Sequence, residues 1–486
     1  MRVAGVFLQD VSVDARLDPD PEEPLGIEYV LACSAEEGHC VRLFTPLDAP
    51  VGHLPRVIAD FNPDVAAISA YTPHIPEALR LAGRLREMCP EVITVLGGPH
   101  VTADPTVVLH EAIDVAILGE GEAAFCHLLK VLEEGADLQS VAGIALADSG
   151  NVRTTPRQRR ISALDCLPYP LHERRYYDLP AHSLSFPPMS RIVYSPMLFS
   201  RGCNMPCRFC SSRQLWGGEV FCRTPENALA EVEYLQRTYG VDFVYFEDLT
   251  FTLKRREFLG LCDVMTAGKL PVYWGCETHV NCVTSEDLAR MRGAGCTKIL
   301  WGVENLSENT LDRIGKKQSR ADVASSLQAA AHSGILNWGC YIVGFPWETE
   351  EDILTTASAL AELDIHQLRI SIATPFPGSR WHDEMPKAAL DPDLSLYDTN
   401  HLVYEHPTIS SERMKELQNE IFIRFYQSTH YRDRVTAMTR RFPYLRESFD
   451  EFLGYVDSKS ELLRSGQTDI AEVYIHEDAK QHKVGL

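Results

Sequence analysis

The chain has 486 residues, 45% hydrophobic and 23% charged, a globular composition with room for two or three domains. Its formal net charge of −22 argues against a nucleic-acid binder, which would carry a basic face. No apolar run approaches the ~20 residues that a membrane span requires, and the start MRVAGVFLQD lacks the basic region and cleavage site of a signal peptide. We therefore expect a cytoplasmic protein without a membrane or nucleic-acid partner.

The first 137 residues alternate between strand and helix signals, which predicts five βα units. Strands are predicted at 1–8, 40–44, 64–70, 91–98 and 114–120, with amphipathic stretches such as 25–38 and 74–89 between them. This order indicates a flavodoxin-like, doubly wound α/β domain over residues 1–137. Such sheets bind ligands beyond the carboxyl ends of their strands, which here carry residues 69–72, 97–100 and 119–122.

A proline-rich connector with a small hairpin at 143–155 is predicted over residues 138–190. A second βα series follows, with strands at 191–200, 241–248, 272–277, 298–304, 339–345 and 368–374. Six βα repeats over residues 191–380 predict a partial (β/α)6 barrel, and residues 381–486 a helical C-terminal tail.

Three of the fourteen cysteines, Cys203, Cys207 and Cys210, lie within eight residues, directly after the first predicted barrel strand. Active sites of parallel barrels are built from loops at this position. Thiolates suit iron–sulfur clusters or zinc, and a four-iron cluster normally takes four cysteines. A structural zinc site would need a fourth ligand, and Cys222 and His182 lack the usual tight pairing. Three cysteines predict a cluster with one iron open to another ligand.

The sequence carries further motifs around this one: GGPH (97–100), GEGE (119–122), FEDLTFT (246–252), GVEN (302–305), GFPWET (344–349) and TPFPGS (374–379). Together with CNMPCRFC (203–210), they resemble the radical S-adenosylmethionine (SAM) superfamily over about residues 1–380. The added N-terminal domain is similar to the cobalamin-binding-type, Rossmann-like domain of one branch. The chain lacks the DxHxxG loop by which many corrinoid proteins supply a histidine ligand, so cobalamin itself stays an open expectation.

The resemblance implies a 4Fe–4S cluster whose open iron binds SAM, an electron donor such as a flavodoxin or ferredoxin, and a 5′-deoxyadenosyl radical that takes hydrogen from a small molecule. It assigns Phe209 to packing near the adenine. Glu247 and Asp248 are assigned to the methionine ammonium, and Gly302 and Glu304 to the ribose or methionine. The segments expected to contact the adenine contain Gly344, Pro346, Thr374 and Pro375.

A decoy, Gly217-Gly218-Glu219, spells the amino-binding motif of the superfamily but follows the cysteines, so it receives no role. Glu277 and His279 alternate along the third strand and are predicted to share its luminal face as an acid–base pair. Tyr341 on the fifth strand is a weaker candidate of the same kind.

Two reactions fit this architecture, and the acid–base pair favours dehydration of a diol (a lyase reaction) over cobalamin-dependent methylation. The resemblance extends to aminoglycoside antibiotic biosynthesis, and the acidic chain predicts a cationic aminosugar substrate. A non-catalytic corrinoid or SAM sensor is a third alternative.

Overall fold

The computed structural model describes residues 1–8, 23–177, 181–182 and 191–465. Parts of the predicted connector and the end of the predicted helical tail therefore lie outside the described residues. Within the described ranges, no helix is both long and apolar enough to cross a bilayer.

Residues 1–154 form an α/β domain around one seven-stranded sheet. Its strands are β1 (Arg2–Phe7), β2 (Cys40–Phe44), β3 (Val65–Ser69), β4 (Ile93–Gly97), β5 (Val115–Ile117), β6 (Ile144–Asp148) and β7 (Asn151–Thr154). Its helices are α1 (Leu25–Glu36), α2 (Leu54–Asp60), α3 (Ile75–Met88), α4 (Pro99–Ala103) and α5 (Gly121–Glu134).

The strand order is β2-β1-β3-β4-β5-β6-β7, and the first five strands are parallel. This confirms the flavodoxin-like prediction, because 2-1-3-4-5 is the order of that fold. The hairpin β6–β7 pairs antiparallel with β5, so the sheet extends past the boundary predicted at residue 137.

A second sheet contains six parallel strands, in the order β10-β13-β14-β15-β16-β17. Short elements precede and surround its first strand: α6 (Arg174–Tyr177), β8 (Ala181–His182), β9 (Arg191–Ile192), β11 (Ser200–Arg201), α7 (Ser212–Trp216) and β12 (Phe221–Cys222). The sheet strands are β10 (Tyr194–Met197), β13 (Phe243–Phe246), β14 (Tyr273–Thr278), β15 (Cys296–Glu304), β16 (Leu336–Val343) and β17 (Gln367–Ile372). The helices between them are α8 (Pro225–Tyr239), α9 (Arg255–Gly268), α10 (Ser285–Gly293), α11 (Glu308–Arg313), α12 (Arg320–Ser333) and α13 (Glu350–Leu360). The sheet confirms the predicted open six-fold barrel.

Alternate residues along these strands face opposite sides. Those that face the helices, such as Phe246, Trp274 and Trp301, are fully buried in the main apolar core. On the concave side, Phe243, Tyr245 and Leu300 form a separate apolar floor for the barrel lumen. The polar residues of the lumen therefore lie above this floor, toward the carboxyl ends of the strands.

The remaining helices are α14 (Arg380–Glu384), α15 (Ser411–Tyr426), α16 (Thr429–Arg441) and α17 (Arg446–Arg464). Helix α15 covers the edge strand β17, where the Gln418 amide donates to Ile370 O at 2.8 Å. The Tyr426 hydroxyl accepts from the Leu368 N–H at 2.8 Å. These side chains satisfy backbone groups that an edge strand would otherwise leave unpaired.

Candidate active site

The three motif cysteines lie in the loop that follows β11, at the carboxyl end of the barrel sheet. All three are free thiols. Cys203 is buried, and its sulfur is 3.6 Å from the Thr250 hydroxyl. The Cys210 thiol donates to the Ser212 hydroxyl at 3.1 Å. The loop thus gathers three unmodified ligand groups at the position that the sequence predicts.

The three thiols lie close enough to influence one another. Burial raises the pKa of Cys207 to about 12; Lys316 opposes this rise, whereas Glu304, Cys210 and Cys203 add to it. Three neighbouring thiols on one loop suit the three cysteine-bound irons of a 4Fe–4S cluster.

Asp248 holds the start of the cysteine loop. Its carboxylate accepts the Phe199 N–H at 2.9 Å, and it also accepts both the N–H and the hydroxyl of Ser200. The side chain is fully buried, and burial raises its pKa to about 7 against the effect of these hydrogen bonds. The prediction that Asp248 binds the methionine ammonium is corrected, because its oxygens are occupied by the backbone of the loop. Glu247 is partly exposed, accepts from the Tyr194 hydroxyl at 3.5 Å, and remains the candidate.

The opposite side of the loop is fixed by Arg208. Its N–H donates to Ile314 O at 2.8 Å, and its carbonyl accepts the Trp381 N–H at 2.9 Å. The neighbouring Phe209 is partly buried against the apolar cluster that contains Phe345. Phe209 therefore packs the loop against the GFPWET segment, and its predicted adenine contact stays a prediction.

Lys316 forms an ion pair with Glu304 beside the cysteines, with Nζ 2.7 Å from Oε1. Burial opposes a charge on Lys316, but Glu304 and the Cys207 thiol raise the pKa of Lys316 above its ordinary value, so the ammonium stays charged. A Cβ on Gly302 would lie 2.5 Å from Nζ of Lys316 and 2.6 Å from Oε1 of Glu304. A side chain at position 302 would therefore displace this ion pair from its present position.

Sequence reasoning missed Lys316. Its neighbours Gly315 and Lys317 give no pattern that distinguishes one lysine from the other. Only the tertiary structure does, since Gly315 approaches the carbonyl of Pro206 in the cysteine loop, where a Cβ would lie 3.0 Å away. The close approach of Gly315 to the loop carries Lys316 to the thiols.

Glu277 projects into the lumen from β14, as predicted. Burial raises its pKa to about 7, Arg369 on β17 lowers it, and Glu304 raises it further. At neutral pH this carboxyl can therefore hold or release a proton. Glu277 and Arg369 give the lumen one acidic and one basic group above its apolar floor.

The two other predicted catalytic residues have different surroundings. His279 caps the short turn after β14, where its Nδ1 accepts the Asn281 N–H at 3.1 Å. Burial and Lys316 lower the pKa of His279 to about 4, so the imidazole is neutral. Tyr341 does not line the lumen: its side chain lies in the core beneath α13 and is 2.5 Å from the Thr356 hydroxyl. The prediction for Tyr341 is wrong because the strand turns that residue toward the helices.

Within the GFPWET segment, Glu348 stabilises the backbone by hydrogen bonds to nearby residues. This buried carboxylate accepts the N–H groups of Gly344 and Phe345, both at 2.9 Å, and the Asn305 amide at 2.8 Å. The Gly344 carbonyl accepts from the Tyr404 hydroxyl. Both backbone groups of Gly344 are therefore occupied, which corrects its predicted contact with adenine.

The other predicted adenine-binding residues have ordinary loop positions. Pro346 is partly buried, and Pro375 is buried. Thr374 donates its hydroxyl to Ile372 O at 3.0 Å. Their adenine contacts stay predictions.

The GEGE segment of the N-terminal domain forms ion pairs with the residue that leads into the cysteine loop. Arg201, two residues before Cys203, pairs with Glu122 at 2.7 Å and Glu120 at 3.3 Å, and all three side chains are buried. A Cβ on Gly202 would lie 2.1 Å from Glu219 O, so only glycine fits here. Within the GEGE segment, Glu120 and Glu122 therefore link the N-terminal domain to the cysteine loop.

The carboxyl ends of the two sheets face each other. A Cβ on Gly378, after β17, would lie 2.8 Å from that of Ala103 on α4, which directly follows β4. At this edge Tyr71 is 49% exposed, and the space beside Gly119 is open. An exposed ring and an open glycine fit a large planar ligand, as a corrin macrocycle requires.

Comparison with known proteins agrees with this architecture. Residues 19–129 match the B12 binding domain family, and residues 197–360 match the Radical SAM superfamily. The uncharacterized methyltransferase PH0819 of Pyrococcus horikoshii is 30% identical over 83% of this chain and 87% of its own. The anaerobic magnesium-protoporphyrin IX monomethyl ester cyclase of Rubrivivax gelatinosus is 30% identical over 81% of this chain and 68% of its own.

Among solved structures, the radical SAM methyltransferase TsrM of Kitasatospora setae, with cobalamin and a 4Fe–4S cluster bound, superposes with a TM-score of 0.64. It is 17% identical, and the match covers 78% of this chain and 74% of TsrM. The fold and the paired domains define a class of enzyme that joins radical SAM chemistry to a B12 domain. The chain belongs to the radical SAM superfamily, in the branch with an N-terminal cobalamin-binding domain.

This membership confirms the predicted family and the predicted 4Fe–4S cluster and SAM, and it decides in favour of cobalamin, which the sequence had left open. As a radical SAM enzyme, the protein acts on a small molecule and requires a reductant. The comparisons do not support the predicted dehydration, and the methylation alternative fits them better.

Proposed function

We propose that this protein is a cobalamin-dependent radical SAM methyltransferase that acts on a small polar molecule held in the barrel lumen. The observation that carries the proposal is the apposition of the two carboxyl edges, where Gly378 meets Ala103. A ligand on the B12 domain then faces the cysteine loop across a short distance. A methyl carrier needs this placement, whereas dehydration would leave the B12 domain without a role.

The relatives support the same reaction. PH0819 carries the name of a methyltransferase, and so does TsrM. The magnesium-protoporphyrin cyclase shows that similar chains are also named for ring closure, so the product must be identified directly.

One set of residues is suited to bind the cofactors, and a second set is suited to bind the substrate. Cys203, Cys207 and Cys210 would hold the cluster, which when bound supplies the electron for SAM cleavage. The ammonium of Lys316 and the carboxylate of Glu304 match the carboxylate and amino groups of the methionine moiety by charge. Both lie beside Cys207, where those groups would bind.

Glu277 and Arg369 are suited to bind polar groups of the substrate. Because the two have opposite charges, the lumen favours a polar or zwitterionic molecule over a polycation. The chain as a whole has a negative net charge, but Glu277 and Arg369 together have one acidic and one basic group. The predicted aminosugar therefore has no special support from the lumen.

The proposal is tested by anaerobic reconstitution with iron, sulfide, SAM, methylcobalamin and dithionite. We expect bound corrinoid and formation of both 5′-deoxyadenosine and S-adenosylhomocysteine, with 5′-deoxyadenosine lost in Cys203→Ala. Formation of 5′-deoxyadenosine without S-adenosylhomocysteine, and without any dependence on cobalamin, would contradict methyl transfer and favour dehydration. Absence of 5′-deoxyadenosine above the Cys203→Ala control would favour a sensor.

A further inference from the structure

A second cluster of ligand-type side chains lies outside the active site, where three segments of the chain meet. Glu23 and Glu28 come from the start of α1, His172 from the connector, and Glu231 from α8. All four are buried, with 0–5% of their surface exposed. One ligand atom each from Glu23, Glu28 and His172 lies within 4.8 Å of the other two.

His172 is held as metal-binding histidines are held. Its Nε2 is 2.9 Å from Glu231 Oε1, and Glu231 in turn pairs with Arg223. Its Nδ1 is 3.2 Å from both carboxylate oxygens of Glu23. A ligating histidine typically donates its other ring N–H to a carboxylate, which fixes the tautomer and aims the lone pair at the ion. Here Glu231 is placed to accept from Nε2, while Nδ1 faces the Glu23 carboxylate and the Tyr177 hydroxyl, which is 2.9 Å away.

Glu28 provides a separate indication of a missing ligand. Its Oε2 accepts the His172 backbone N–H at 3.1 Å, but its Oε1 has no hydrogen-bond partner among the described residues. The side chain is fully buried, and an unpaired buried carboxylate oxygen is costly. Glu28 belongs to the group formed with Glu23 and His172, so a cation bound among these three residues would give its carboxylate a further partner.

The cluster is rich in carboxylates. Glu23, Glu28 and Glu231 place three buried carboxyl groups around His172, and among these three the Arg223 guanidinium pairs with Glu231 alone. A divalent cation between Glu23, Glu28 and His172 would therefore have negatively charged ligands on two sides.

We propose that Glu23, Glu28 and His172 bind a divalent first-row transition-metal ion that joins the B12 domain, the connector and the barrel. One imidazole nitrogen and two carboxylates suit zinc or manganese. The Tyr177 hydroxyl donates to Glu23 Oε2 at 2.7 Å and lies 2.9 Å from His172 Nδ1, a contact that a bound metal ion would replace. The site contains none of the motif cysteines. The proposal of a metal site can therefore be tested separately from the proposal of methyl transfer.

The test uses the full-length protein with its iron–sulfur cluster reconstituted. After incubation with Zn²⁺ and desalting, elemental analysis should find about one zinc ion per chain in addition to iron. His172→Gln and Glu28→Gln should reduce retained zinc by at least tenfold. The matched controls His127→Gln and Glu134→Gln alter exposed residues of α5 and should retain zinc. Zinc contents that do not differ between His172→Gln and His127→Gln would overturn the proposal.

A second measurement does not depend on the folding of those variants. The Cys203→Ala/Cys207→Ala/Cys210→Ala protein should bind Co²⁺ with weak visible d–d bands and no thiolate charge-transfer band. Its Tm should rise with Zn²⁺ concentration and reach a plateau. The absence of both a Co²⁺ spectrum and a Zn²⁺-dependent Tm would show that the cluster is held by protons alone and would overturn the proposal.

Discussion

Lys316 and Glu304 show how much the site depends on single side chains. The pair is buried beside Cys207, and each charge is tolerated there because the other is present. Glu304 has a φ of 60°, an uncommon conformation for a non-glycine residue, and its carboxylate lies next to Gly302, where a Cβ would be 2.6 Å from Oε1. This strand end thus combines an unusual backbone conformation with a buried ion pair.

Lys316→Met should lower the free energy of unfolding by about 3 kcal/mol, because it leaves Glu304 buried without a partner. It should also abolish reductive cleavage of SAM, measured as 5′-deoxyadenosine. The control is Lys317→Met, which removes an exposed lysine one residue away and should leave both measurements unchanged. Equal activity in the two variants would exclude Lys316 from the binding of SAM.

At the level of elements, the short hairpin β11–β12 presents the cysteine loop. Gly202 has a φ of 110° and lies against the backbone of Glu219. The decoy glycines at 217–218 thus serve the turn that precedes β12, outside the cofactor site. The hairpin lets the chain leave the barrel strand and return without displacing the thiols.

Gly202→Ala should reduce the iron content of the reconstituted protein severalfold, because its Cβ would overlap Glu219 O at 2.1 Å. Gly240→Ala is the matched control, since Gly240 at the end of α8 also has a positive φ, in the left-handed helical region, and has no atom within 4 Å of the added carbon. It should cost only about 1 kcal/mol of backbone strain and keep its iron. Iron analysis and the cluster absorbance compare the two.

The C-terminal helices attach to the barrel through His366. Its Nδ1 accepts the Asn337 N–H at 3.0 Å, and its carbonyl accepts from Tyr431 on α16 at 2.9 Å. Burial and Arg434 lower the pKa of His366 from 6.5 to about 3. The neutral imidazole is therefore a condition for these helices to dock.

Stability from His366 should be complete above pH 6.5 and be lost as the pH falls toward 3, because the unfolded chain binds the proton first. At pH 5 the expected loss is about 2 kcal/mol. His366→Asn should be less stable at pH 7.5 but show a flatter decline between pH 7 and pH 5. Urea unfolding across this range measures the slope, and parallel curves for the two proteins would contradict the assignment.

At the scale of the whole molecule, the two domains are joined by buried charge. Arg201 connects the GEGE segment to the cysteine loop through Glu122 and Glu120. The guanidinium also lies 4.9 Å from the centre of the Tyr29 ring on α1. The residues next to Cys203 are thereby in direct contact with the B12 domain.

Arg201→Met should lower the free energy of unfolding by about 3–5 kcal/mol, because it leaves two buried carboxylates unpaired. The double variant Arg201→Met/Glu122→Gln should recover part of this loss. A double-mutant cycle by urea unfolding should give a coupling energy of about 1–3 kcal/mol. Simple additivity of the two single variants would show that the pair does not join the domains.

Local sequence patterns predicted the elements and their order, because the period of apolar residues reports which face of each element is buried. Local signals also mark helix ends: Thr224 and Ser319 cap the starts of α8 and α12, and Gly240 and Gly334 end these helices. The position of the cysteines after the first barrel strand followed from the same patterns.

Periodicity could not separate Glu247 from Asp248, which are adjacent at one strand end, nor identify Lys316. Whether each of these side chains reaches the site depends on the direction in which its backbone turns it. It also depends on contacts with segments that are distant in sequence. Tyr341 failed for the same reason, because one residue of register decides between the lumen and the core.

The sequence by itself determined the class of this enzyme, because three cysteines in one short loop and two βα series are local features that need no knowledge of packing. Only the tertiary structure decided how the parts are joined. The Arg201 ion pairs, the Lys316–Glu304 pair and the buried cluster around His172 each bring together residues from separate segments. Such contacts form only when the domains pack. Burial then requires each charged group to have a partner of opposite charge, because an unpaired buried charge is costly.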